Sequence, residues 1–67
     1  METFAERLKE LRTEKNLTQV ELAKATNLSK SAISFWESGE RTPNINAIIV
    51  LAKYFEVSAD YLLGLED

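Results

Sequence analysis

A chain of 67 residues with a formal net charge of −3, two glycines, one proline and neither cysteine nor histidine has room for one domain with a thin core. A domain of this size buries only about 60% of the surface that its unfolded chain exposes, and without cysteine no disulfide or thiolate metal site supplements the packing. The missing cysteine and histidine also remove the usual nucleophile, metal ligand and general acid–base, and no glycine-rich phosphate loop is present, so neither an enzyme, a cofactor, a metal nor a small-molecule ligand is expected.

Capping residues define the elements in chain order. Thr3-Phe4-Ala5-Glu6 reads as a capping box, a hydroxyl at the N-cap with a glutamate three residues on. The first helix carries Phe4, Leu8 and Leu11 as its apolar stripe. Its alternating Glu and Lys/Arg residues are expected to form a solvated face. Asn16 suits a left-handed stop. Thr18-Gln19-Val20-Glu21 is a second capping box, with Leu17 and Leu22 as the matching hydrophobic staple. That helix is expected to end near Thr26, with Asn27 taking the left-handed position. Ser29 opens a third helix, stapled by Leu28 and Ile33, and Gly39 ends it. Asn44 caps a fourth, whose apolar positions Ile45, Ile48, Ile49, Leu51, Ala52 and Phe55 follow a period near 3.6. Ser58 caps a short fifth helix, stapled by Val57 and Leu62 and closed by Gly64. No segment sustains a period-2 alternation. The fold expected is all-α, five helices in a single domain over residues 1–67, with Leu8, Leu11, Leu22, Ala23, Ile33, Ile48, Leu51, Ala52, Phe55 and Leu62 as its core and Trp36 as a lid on it.

The break between helices two and three is about three residues, Thr26-Asn27-Leu28. Two helices joined by so short a turn cross steeply, the geometry of a helix-turn-helix. On a helical wheel Lys30, Ser31, Ser34, Phe35 and Ser38 share an arc of roughly 140°, opposite Ala32, Ile33, Trp36 and Glu37. Periodicity alone leaves two readings of that polar arc. It is a solvated face, or it presents lysine and serine to base edges and Phe35 to a thymine methyl.

Charge is distributed unevenly. Residues 1–44 hold seven basic side chains and seven acidic ones, whereas residues 45–67 hold Lys53 against Glu56, Asp60, Glu66 and Asp67. The negative excess therefore lies in the last third, and only the first two-thirds need face a phosphate backbone. The longest apolar run, Ala47 to Ala52, is six residues, far short of the roughly 20 that span a bilayer. The N-terminus lacks a signal-peptide pattern, and a cytoplasmic protein without membrane partners is the default expectation.

The string from Leu17 to Ala23, followed by Leu28 to Gly39, Arg41-Thr42-Pro43 and Leu51 to Gly64, resembles the lambda-repressor-like (Xre/Cro) helix-turn-helix family over nearly the whole chain. The resemblance implies a sequence-specific DNA-binding transcriptional regulator, a repressor that inserts the third helix into the major groove of an operator. By position it implies that Gln19 bonds a DNA phosphate, a role that a helix N-terminus also suits. It places Lys30, Ser31 and Phe35 at base-reading positions with Ser34 between them, and puts Arg41, Thr42, Asn44 and Asn46 in and after a loop that grips the backbone. Arg12 and Glu37 match a structural ion pair. The partner implied is double-stranded DNA, bound by a homodimer on a pseudo-palindromic site with half-sites about 34 Å apart. Leu65, with Tyr61, is the expected self-association contact.

Two positions depart from the family pattern. Phe35 stands where a long polar or basic side chain is usual, and Glu40 sets negative charge beside the phosphate track. Cationic contacts then reduce to Arg41, Lys24 and Lys30, for which a dimer would show a log–log salt slope of about −4 to −5. The competing reading is a protein-interaction module on the same fold, favoured by the acidic balance, by Phe35 and by the apolar segment Tyr61 to Leu65.

Overall fold

In the computed structural model, residues 3–66 are described, and among them lie five α-helices and no strand: α1 (Phe4–Glu14), α2 (Gln19–Thr26), α3 (Lys30–Ser38), α4 (Ile45–Phe55) and α5 (Ala59–Leu62). Each begins where its cap places it. Thr3 and Thr18 close full capping boxes with Glu6 and Glu21, and the side chains of Ser29, Asn44 and Ser58 accept from the backbone N–H three residues on. Capping satisfies donors that a helix start leaves open.

Left-handed residues follow every helix. Asn16, Asn27, Gly39 and Gly64 have positive φ, as the sequence anticipates. After α1, the Leu17 N–H reaches back to the Arg12 carbonyl at 3.1 Å and the Asn16 N–H to that of Thr13 at 2.9 Å, the paired bonds of a Schellman motif. The same pairing recurs at Gly39 and Gly64. The fifth stop was not anticipated. Glu56 ends α4 at φ 57°, ψ 44°, a conformation that costs a residue with a Cβ about 1–2 kcal/mol.

Helix α3 packs against α1 and α2, α4 against α2 and α5, and α1 closes over α5. Leu8, Leu22, Ile33, Leu51 and Leu62 are fully buried where these helices meet, with Trp36 beneath them and its ring edge-on to Phe4. Leu17, Leu28 and Val57, the residues preceding three of the caps, pack against the same cluster, so each staple also fixes the angle at which its helix enters the core.

Two readings need correction, the core membership of Leu11 and Ala52 and the placement of Arg7. Leu11 and Ala52 are half-buried at the core's margin, while Ala47 joins its centre. Ile45 and Ile49, apolar positions of the 3.6-residue pattern that the expected core leaves out, are 76% and 48% exposed. They lie on the flank of the buried Ile48–Leu51–Phe55 stripe. Arg7 is not on a solvated face: it is 3% exposed, donates to the Tyr61 carbonyl at 3.2 Å and lies 4.0 Å over the Tyr61 ring. Its long stem fills apolar space, and its charge ties α1 to α5. No helix of the described residues is long and apolar enough to cross a membrane.

Candidate nucleic-acid interface

The corner between α2 and α3 is built on Asn27, at φ 60° and ψ 29°. Its left-handed backbone reverses the chain, and the Leu28 N–H returns to the Ala23 carbonyl at 3.1 Å. Leu28 then packs against the core, Ser29 caps, and α3 starts at Lys30. Lys30 and Ser31 are exposed, Ser34 and Phe35 are half-exposed, and Ile33 and Trp36 take the opposite, buried side. The arc read from periodicity is therefore one outward ridge.

An ion pair fixes this ridge to the rest of the molecule. Arg12 on α1 meets Glu37 on α3 through two parallel bonds, Nε to Oε2 at 2.7 Å and Nη2 to Oε1 at 2.9 Å, and its Nη1 donates to the Leu17 carbonyl at 2.6 Å. The side chains retain only 13% and 5% of their exposure. The bonds to Glu37 hold the Arg12 pKa above its ordinary value against the opposing effect of burial. One arginine thus joins α1, the end of the α1–α2 turn and α3.

Gln19, the first residue of α2, is half-buried and donates from Nε2 to the same Glu37 carboxylate at 3.2 Å. The backbone N–H groups of Gln19 and Val20 stand in the first turn, where no carbonyl of the helix can reach them. Around this junction Lys9, Arg12, Gln19, Ser34, Glu37 and Ser38 line a shallow polar hollow of about 280 Å³. Lys9 is exposed, as its place on the charged face of α1 predicts, and the packing of α1 across α3 brings it beside Gln19 and Ser34.

On the far side of α3, Arg41 and Thr42 are exposed in the loop before α4. Arg41 folds back so that its Cζ lies 4.4 Å from the centre of the Phe35 ring. Asn44 already has a structural task, because its Oδ1 accepts the Ala47 N–H at 2.8 Å as the α4 cap. Asn46 is exposed on the first turn of α4. The carboxylate of Glu40 accepts from the Ser38 hydroxyl at 2.9 Å. Gln19, Ser34 and Ser38 line the polar hollow together, and Arg41 reaches the α3 ridge at Phe35. Signals for the last contact were absent from the helical wheel, since the pairing depends on the loop after Gly39.

Comparison with known proteins agrees with this geometry. The family model described as Helix-turn-helix matches residues 8–62. The chain is 47% identical over 64 residues to the HTH-type transcriptional activator BcrR of Enterococcus faecalis, covering 96% of this chain and 31% of that protein. It is 37% identical over 60 residues to Repressor protein C2 of Salmonella phage P22, covering 90% of this chain and 28% of that one. The chain thus spans about a third of the length of these relatives. Among solved structures, the P22 c2 repressor in complex with synthetic operator 9T superposes with a TM-score of 0.89 at 33% identity, over 98% of this chain and 100% of the other.

Proposed function

We propose that this chain, which belongs to the helix-turn-helix family of the lambda-repressor type, acts in the cytoplasm as a transcriptional regulator and not as an enzyme, its residues 1–67 forming one domain that binds operator DNA. The observation that carries this reading is the outward ridge of Lys30, Ser31, Ser34 and Phe35, held clear of the core by the Asn27 corner and the Arg12–Glu37 pair.

An α-helix fits the major groove of B-DNA, where each base pair shows a distinct set of donors and acceptors. Lys30 donates to guanine O6 or N7, and Ser31 and Ser34 meet either a donor or an acceptor. Gln19 and the open N–H groups of α2 take a phosphate, aided by the positive end of the helix dipole. Bonded to Glu37, the Gln19 amide is oriented before DNA arrives, which lowers the entropy lost on binding. Thr42, Asn44 and Asn46 line the backbone beyond α3, Asn44 through the amide nitrogen that capping leaves available.

Two copies bind a pseudo-palindromic operator as a two-fold dimer, and occupancy obstructs polymerase, which makes the protein a repressor. Leu65, 68% exposed, and Leu63, 38% exposed, supply apolar surface for self-association. Tyr61 is half-buried with Arg7 over its ring, so Leu65 carries more of this contact than Tyr61. Selection of bound sites from a random duplex pool tests the reading. A two-fold motif with half-sites about one helical turn apart is expected, with affinity reduced by Lys30→Ala while the fold is unchanged. Failure to enrich any sequence, together with capture of a protein partner through Phe35, would favour an interaction module instead.

A further inference from the structure

Phe35 poses a chemical problem for a reading helix. A benzyl side chain offers a base edge neither donor nor acceptor and by itself only touches a methyl group. In this structure it does not stand alone, because the Arg41 guanidinium lies over its ring at 4.4 Å. A guanidinium is planar and delocalised, so stacking engages its face and leaves its N–H donors directed outward around the edge. Among the described residues Arg41 forms no hydrogen bond or ion pair that would occupy them. Its acidic neighbour Glu40 is turned to Ser38. The cation of the loop therefore reaches the ridge of α3 at Phe35, while its side chain also lines the flanking hollow with Thr42 and Pro43.

We infer that Phe35 and Arg41 form one composite reader of sequence. Phe35 is the platform, and Arg41 donates two in-plane bonds to O6 and N7 of a guanine at the base pair facing Phe35. The inference rests on the DNA-binding reading above and moves Arg41 from backbone contact to base recognition. An exposed cation–π contact favours the stacked arrangement by about two- to fivefold, and the preference grows when the groove excludes water. Ring and guanidinium each lack what the other supplies: the ring has no donors, and the free arginine has no fixed direction.

The test uses the selected duplex and its single-base variants, with binding measured by fluorescence anisotropy at two salt concentrations and every variant checked by its melting curve. Arg41→Ala and Phe35→Leu are each expected to lower affinity for the preferred site about tenfold and to flatten discrimination at the same base pair. The double variant is expected to be little worse than either one. Phe35→Tyr keeps the ring and should retain discrimination, whereas Arg41→Lys keeps only a point charge and should lose it. In the free protein, the Arg41 side-chain protons should show upfield ring-current shifts that vanish in Phe35→Leu. A uniform loss across all sequences in Arg41→Ala, with a salt slope smaller by about one and additive with Phe35→Leu, would mark a phosphate contact and overturn the inference. Wild-type protein that binds no duplex would overturn the functional reading first, and the composite reader with it.

Discussion

Glu37→Gln is the substitution that most directly probes how the reading ridge is held. The change preserves shape but removes the charge that faces Arg12, a guanidinium bonded to Glu37 at 2.7 and 2.9 Å with side-chain exposures of 13% and 5%. Removing one partner of a buried pair costs about 3–5 kcal/mol, because the other charge stays desolvated. The low end applies here, since Arg12 keeps the Leu17 carbonyl at 2.6 Å and the glutamine oxygen still accepts one bond. About 3 kcal/mol is a large part of the 5–15 kcal/mol that stabilises an ordinary domain. For a chain this short it lowers Tm by roughly 12–24 °C. Thermal and urea unfolding followed by circular dichroism measure the loss, with the urea slope unchanged if the native state stays compact. Removing both charges in an Arg12→Met, Glu37→Leu double variant should cost less than the two single losses together, since no buried charge is stranded. A Glu37→Gln protein within 0.5 kcal/mol of wild type, or strict additivity in the double variant, would refute this account of the pair.

Glu56→Gly should raise stability by about 0.5–1 kcal/mol, because relief of the left-handed strain at φ 57° exceeds the backbone entropy that glycine adds; a lower Tm would show that the Glu56 backbone is not strained. Asn27→Ala should cost about 1 kcal/mol by forcing a Cβ-bearing residue without a stabilising amide into φ 60°, while Asn27→Gly stays near wild type; urea midpoints for both variants check the ordering. Glu6 accepts the Thr3 N–H at 3.0 Å and the Thr3 hydroxyl at 3.1 Å, which lowers its pKa below 4.5. A depressed carboxyl stabilises the fold above its unfolded pKa and loses that contribution as pH falls through the folded value. An NMR titration should therefore place the Glu6 midpoint below 4.5, and Thr3→Ala should move it upward.

Local chemistry made most of the fold legible. Thr3, Thr18, Ser29, Asn44 and Ser58 announce the helix starts, and Asn16, Asn27, Gly39 and Gly64 announce the stops, because caps and left-handed turns are decided by a few adjacent residues. Glu56 escaped because nothing about glutamate favours positive φ; the Schellman bonds and the burial of Phe55 and Val57 impose it. Arg7 left a trace that charge concealed. It sits three residues after Phe4 and four before Leu11, within the apolar stripe of α1, but its partner Tyr61 lies 54 positions away. The candidate interface divides the same way. The α3 ridge follows from a single helical period, whereas the Gln19–Glu37 bond, the placement of Lys9 and the position of the Arg41 guanidinium over Phe35 arise from tertiary packing and one loop conformation.

Titrating 15N-labelled protein with its selected duplex addresses the whole account most directly. Amide shifts should change most at Gln19, across Lys30 to Phe35 and around Arg41 to Asn46, with α5 affected only where two copies meet. Perturbations confined to α4 and α5, or an α3 ridge left unchanged at saturation, would contradict it.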